Sequence, residues 1–150
     1  RRGEEPRREG RCAMSRGMSN CNPGNIRRSR TRYKGEVRPS RDPEFKQFAS
    51  LEWGYRAIFV LLHTYRVRYG LGSLDGMIAR WAPPSENRTD LYLRFVAERT
   101  GLKADEPLDT SCRATMLPLA AAISLMENGV EAPRETLERG WELFRADFPA

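Results

Sequence analysis

The chain has 150 residues, of which 39% are apolar, and it contains 26 lysines and arginines, 20 acidic residues, three cysteines and one histidine. This length and composition predict one globular domain. The longest apolar run, residues 117–126, is far shorter than the roughly 20 residues that a membrane-spanning helix needs. No apolar stretch of signal-peptide length follows the basic N-terminus, so we expect no Sec-type export signal.

The basic residues are concentrated at one end of the chain. Residues 1–41 contain 13 lysines and arginines against four acids, whereas residues 42–150 contain 13 basic and 16 acidic residues. Because few residues of the first segment are apolar, we expect residues 1–15 to form a disordered basic tail. Residues 16–150 are then expected to form a single helical domain, with 16–44 as a loop-rich arm that contains one irregular hairpin.

Five helices are predicted after the arm. Apolar residues recur every three or four positions in five segments, which begin at Ser50, Ser73, Thr89, Thr110 and Pro133. The first four end at Gly70, Pro83 with Pro84, Gly101 and Gly129. In the third helix, Leu91, Phe95 and Val96 are predicted to share a buried face with Tyr92 near its edge. Pro118 either kinks the fourth helix or marks its first turn. The pattern predicts an all-α domain with a small β-hairpin arm.

Few residues are available for cysteine or histidine chemistry. The three cysteines are widely spaced and form no Cys-x-x-Cys pair, which argues against a disulfide framework and a zinc site. A Ser-His-Asp triad would have to use His63, whose apolar surroundings are more typical of a core or edge histidine. We expect no metal and no cofactor, and carboxylates remain as the main groups for hydrolytic chemistry.

Two strings combine side chains that suit a carbohydrate. The first, Asn-Pro-Gly-Asn-Ile-Arg at residues 22–27, is either a rigid structural turn or a loop that binds a carbohydrate or peptide. The second, residues 80–92, places an aromatic ring, a carboxylate and an amide beside a double proline, and a buried packing corner is an equally good interpretation. The candidate glycan-binding residues are Asn22, Asn25, Arg27, Trp81, Asn87 and Tyr92.

Three glutamates are candidates for glycoside cleavage, which uses a general acid and often a second carboxylate about 5 to 9.5 Å away. Glu52 is predicted in the first turn of a helix, where an acid stabilises the helix dipole. Glu36 lies in the irregular arm and Glu86 lies beside the double proline. Glu36 and Glu86 are therefore the candidate catalytic residues.

The arm also contains a basic cluster, in which Arg27, Arg28, Arg30 and Arg32 precede Tyr33. Such a cluster can bind phosphates, so nucleic-acid or capsid binding through residues 1–41 is an alternative function. No nucleic-acid-binding motif accompanies the cluster, and a solvated arm is the favoured interpretation.

Over about residues 14–129 the chain resembles a family of small phage and prophage proteins, often labelled virion structural proteins. The shared motifs are residues 22–27, then Phe45, Phe48, Ser50, Gly54, Arg56 and Ala57, then residues 80–92. The layout is more distantly similar to lysozyme-like peptidoglycan hydrolases, especially flagellar-type β-N-acetylglucosaminidases. Those enzymes carry an Asn-Asn-x-Phe-Gly-Ile-Lys string, then a β-lobe and a long helix.

The second resemblance implies a compact lysozyme-like domain with residues 22–27 in a glycan cleft and Glu36 in the lobe where a second acid sits. In those hydrolases the principal catalytic glutamate ends a helix upstream of the string, whereas here Glu9 is the acid nearest that position and its surroundings do not match. We expect a phage or prophage virion-associated structural protein, made in the bacterial cytoplasm, that binds peptidoglycan or other virion proteins. An active peptidoglycan glycosidase, of muramidase or glucosaminidase type, is the alternative.

Overall fold

The structure, a computed structural model, describes residues 14–150. Glu9 and nearly all of the expected basic tail lie outside this range. The elements in chain order are α1 (Arg16–Ser19), β1 (Glu36–Val37), β2 (Gln47–Phe48), α2 (Leu51–Tyr69), α3 (Leu74–Trp81), α4 (Thr89–Thr100), α5 (Arg113–Asn128) and α6 (Arg134–Asp147). The predicted mostly helical fold with one small hairpin is confirmed. None of these helices is long and apolar enough to cross a membrane.

The predicted helix ends agree with the structure. Gly70, Gly101 and Gly129 follow α2, α4 and α5 in the left-handed conformation, with φ values of 68°, 77° and 72°. Helix α5 begins at Arg113 rather than Thr110, so Pro118 lies in its interior and not in its first turn. Pro118 has no N–H to donate to the carbonyl of Ala114, and both residues are exposed, so water can satisfy that carbonyl.

The arm contains more structure than its sequence indicates. Ser15 begins the short helix α1, and its hydroxyl accepts a hydrogen bond from the Met18 N–H at 3.1 Å. In the hairpin, β1 and β2 are antiparallel and Glu36 pairs with Phe48. The second strand therefore lies just beyond the 16–44 boundary predicted for the arm.

The core is built around α2, which packs along α6. The buried residues of α2 include Tyr55, Ile58, Leu62 and Tyr65, as its apolar spacing predicts. On α4 the prediction is wrong at one position, because Leu91 is 41% exposed. Tyr92 and Val96 form the buried face there, since these two residues point toward α5 and the centre of the domain.

Candidate functional site

An open groove of about 650 Å³ extends along α2. Residues at helical spacing on one face of α2, from Arg56 to Arg68, line it over about 18 Å. The arm contributes residues between 24 and 34, and the corner after α3 contributes Trp81, Pro83, Glu86 and Asn87. Six aromatic residues line the groove, namely Tyr33, Phe45, Tyr65, Tyr69, Trp81 and Phe148.

Positive charge dominates the groove. Of the residues that the structure describes, two glutamates line it, Glu86 and Glu127, against seven basic residues: Arg27, Arg28, Arg32, Lys34, Arg56, Arg68 and Arg80. Four of these seven come from the arm, and their side chains remain exposed, which agrees with a solvated arginine-rich arm. Half of the eight basic residues of the arm therefore lie along the groove.

Glu127 is a half-buried carboxylate at the C-terminal end of α5. Its Oε1 accepts a hydrogen bond from Asn25 Nδ2 at 2.8 Å, and its Oε2 accepts one from the Tyr92 hydroxyl, also at 2.8 Å. Burial raises the pKa of Glu127, and the two hydrogen bonds oppose that rise only in part. A raised pKa is the direction of shift that a general acid needs, and Glu127 lines the groove where a ligand would lie.

The string at residues 22–27 is held as a rigid turn. Asn22 is fully buried, and its Nδ2 donates to the carbonyls of Ile26 and Lys46 at 2.9 Å each, while its Oδ1 accepts from the Ile26 N–H at 3.0 Å. The prediction that Asn22 contacts a ligand is therefore wrong, because its hydrogen-bonding atoms are already used by the backbone. Gly54 of α2 packs so tightly on this turn that a Cβ would lie 2.1 Å from the Cys21 carbonyl oxygen.

Asn25 is the residue of the string that reaches the acid. Its backbone lies in the left-handed region, with φ at 49°, a conformation that asparagine tolerates better than most residues. Asn128, beside Glu127 on α5, donates from Nδ2 to the Pro23 carbonyl at 2.8 Å. Two consecutive residues of α5 are thus bonded to the same turn.

Tyr92 and Trp81 were both predicted to bind a glycan, but the structure places only Trp81 in the groove. Tyr92 is 2% exposed and does not line the groove. It acts behind the surface by donating to Glu127, so its assignment as a ligand contact is corrected. Trp81 does line the groove, and its indole ring lies against Gly24, where a Cβ would approach within 2.6 Å.

Glu36 does not have the surroundings of a general acid. Its side chain is 4% exposed and pairs with Lys46 Nζ at 3.0 Å and Arg38 Nε at 2.9 Å. Burial acts to raise its pKa, but the hydrogen bonds from Arg38, the Tyr33 N–H and Lys46 outweigh burial, and the net pKa is lowered. Glu36 also lies outside the main groove, so we correct its assignment to a structural ion pair that holds the hairpin.

Glu86, Arg27 and Asn87 are exposed groove residues, as a ligand-binding role requires. Glu86 Oε1 accepts from Arg27 Nε at 3.0 Å. The guanidinium of Arg27 also lies over the Phe45 ring, 4.9 Å from its centroid. His63, by contrast, bonds through Nδ1 to the Thr110 hydroxyl at 2.8 Å and packs edge-on to Phe144, which agrees with its interpretation as an edge histidine.

Sequence reasoning missed Glu127, although one signal points to it. An acidic residue in the last turn of a helix opposes the helix dipole, which favours cations there. Glu127 immediately precedes Asn128 and the stop signal Gly129, so it occupies such a position. A glutamate placed against the local preference indicates either a compensating contact or a function.

The fold and the groove define a mostly helical protein with an open basic groove and a half-buried glutamate beside an asparagine-rich turn. No family model matches the chain. Over 118 residues the chain is 40% identical to Protein P5 of Pseudoalteromonas phage PM2, an alignment that covers 77% of this chain and 72% of that protein. The chain therefore belongs to the family of that phage protein.

Proposed function

We propose that this phage protein is a virion component that binds the glycan strands of peptidoglycan in its groove and cleaves a glycosidic bond with Glu127 as the general acid. The observation that supports this most is Glu127 itself, a half-buried groove carboxyl with a raised pKa. Glycoside cleavage requires such an acid. Aromatic residues along the groove suit the apolar faces of sugar rings.

The reaction needs a second group besides the acid. Protonated Glu127 donates its proton to the glycosidic oxygen while the bond from that oxygen to the anomeric carbon breaks. A water molecule adds its hydroxyl to that carbon, and the remaining proton passes to a carboxylate. Glu86 is the candidate for this second role because it is exposed in the same groove, where it pairs with Arg27.

The resemblance to lysozyme-like hydrolases does not extend to the position of this glutamate in the chain. In those enzymes the principal catalytic glutamate ends a helix upstream of the asparagine-rich string. Glu127 ends α5 and contacts Asn25 of the corresponding string, although α5 follows the string in the chain. The helix that contacts the string therefore follows it in the chain instead of preceding it.

The test is the release of muropeptides from purified peptidoglycan, followed by mass spectrometry. We expect Glu127→Gln to lower the rate by about 10²-fold or more, the range for loss of a general acid, and to leave binding to peptidoglycan intact. Glu98→Gln is the matched control, since Glu98 is exposed on α4 and lies outside the groove. Glu86→Gln should slow the reaction, and Glu36→Gln should affect stability rather than the chemical step.

Two results would separate the classes of function. Wild-type protein that binds peptidoglycan but releases no product is a binding protein and not an enzyme. Equal product from wild type and Glu127→Gln removes Glu127 as the acid.

A second candidate function is nucleic-acid binding, favoured by the seven basic residues of the groove. Glu86 argues against it, because a carboxylate among the cations repels phosphates. Binding of this kind weakens steeply with salt, roughly one power of salt concentration per phosphate contact. Titration of a single-stranded oligonucleotide at two salt concentrations tests it, and absent or salt-independent binding excludes it.

A further inference from the structure

One end of the groove is formed by a buried arginine. Arg56 of α2 lines the groove, yet its side chain is only 6% exposed. Its guanidinium lies between aromatic rings, 5.9 Å from the Trp53 centroid and 6.0 Å from the Phe148 centroid. These contacts hold the planar group in place before any ligand arrives.

The hydrogen-bonding capacity of Arg56 is only partly used. Its Nη2 donates to Asp147 Oδ2 at 2.9 Å, whereas its Nε is buried and has no partner among residues 14–150. A buried donor without a partner costs about 1–3 kcal/mol. A guanidinium has five N–H donors arranged as a fork that matches a carboxylate, so an anionic ligand is the group that fits this position.

The positive charge at the Arg56 end of the groove is also only partly balanced by negative charge. Asp147 serves two cations, because Lys34 Nζ lies 2.9 Å from the same carboxylate oxygen as Arg56. Both hydrogen bonds lower the pKa of Asp147, so it stays ionised. One negative charge therefore faces two positive charges, and Arg68 lies further along the same face of α2.

We infer that the Arg56 end of the groove is a subsite for a carboxylate, and that it binds a carboxylate of the peptide stem attached to the glycan strand. This inference rests on the proposed function, because it assumes a glycan in the rest of the groove. A neutral sugar ring has no group that would satisfy both Arg56 and the excess charge. The subsite thus makes the groove selective for peptide-bearing strands over neutral polysaccharides such as chitin.

The experiment compares the binding of two forms of the same material, native peptidoglycan and peptidoglycan whose carboxyl groups have been converted to methylamides. Full-length protein carrying Glu127→Gln is used so that the strands are not cleaved. We expect native material to bind about tenfold more tightly than the amidated form. Lys34→Gln, at an exposed position, should weaken binding to native material about threefold and leave binding to amidated material unchanged.

Two further variants should change the binding of native material in opposite directions. Arg56→Lys keeps the charge beside Asp147 but removes the fork, and should lower the preference for native material severalfold. Asp147→Asn removes the competing carboxylate, and should raise affinity for native material only. Circular dichroism of each variant confirms that it is folded.

The outcomes distinguish this inference from the proposed function. Cleavage by the wild type with equal binding of native and amidated material overturns the carboxylate subsite and leaves the glycosidase in place. A preference for native material that all variants retain also overturns the subsite at Arg56. A carboxylate preference without any cleavage supports the subsite and removes the enzyme.

Discussion

The hydrogen bond from the Tyr92 hydroxyl to Glu127 sets part of the pKa of Glu127. The hydroxyl donates to Oε2 at 2.8 Å from a residue that is 2% exposed, so water cannot easily replace it. Because the bond favours the ionised carboxylate, its loss should raise the pKa of Glu127 further. Tyr92→Phe removes this donor while it keeps the ring that packs in the core.

The expected increase in the pKa of Glu127 follows from the difference in free energy between hydrogen bonds to charged groups and hydrogen bonds between neutral groups. A hydrogen bond to a charged group contributes about 1.5–3 kcal/mol and one between neutral groups about 0.5–1.5 kcal/mol. The difference of about 1–1.5 kcal/mol corresponds to an increase of about one pH unit in the pKa of Glu127, since one unit equals 1.36 kcal/mol. The free energy of unfolding should therefore fall more above the pKa of Glu127 than below it.

The assay is an NMR titration of the side-chain carboxyl carbon of Glu127, with urea unfolding at a low and a high pH. Tyr55→Phe is a matched control, because the Tyr55 hydroxyl is also buried and pairs with Ser124 Oγ at 3.0 Å, on the same helix as Glu127. That variant should lose stability equally at both pH values and leave the pKa of Glu127 unchanged. An unchanged or lower pKa of Glu127 in Tyr92→Phe would refute the reasoning.

Two predictions concern the framework around the site. Gly54→Ala should lower the free energy of unfolding by about 1–3 kcal/mol in urea, because its methyl group meets the Cys21 carbonyl, whereas Gly72→Ala, where a Cβ meets nothing within 4 Å, should change it little. Glu36→Gln should lower the free energy of unfolding by about 3–5 kcal/mol, because the buried charge of Lys46 keeps its bond to the Thr31 carbonyl but loses its counterion, and adding Lys46→Met should restore part of the loss. Since the folded-state pKa of Glu36 is lowered, the Glu36 carboxylate stabilises the fold at pH values above its unfolded-state pKa. This stabilisation is lost as the pH falls through the folded-state pKa, and urea unfolding at several pH values can check the loss.

The sequence predicted local features better than contacts across the chain. Helix ends could be read from Gly70, Gly101 and Gly129, because a left-handed residue ends a helix by local geometry. The roles of Glu36 and Tyr92 could not be read in this way, since they depend on partners 10 and 35 residues away, Lys46 and Glu127. The basic arm shows the same limit, because its net charge was visible while its place along α2 was not.

The Asn22–Arg27 string forms a rigid structural turn, and that turn is consistent with the proposed role of Glu127. Asn22 is structural, since its side chain bonds the backbone on both sides of the turn. Asn25 is bonded to a groove carboxylate, and it reaches that carboxylate because the turn fixes its backbone in the left-handed region. A carboxyl group that must hold and release a proton needs donors that do not move with the ligand. The rigidity of the turn is therefore what would allow one of its residues to position Glu127.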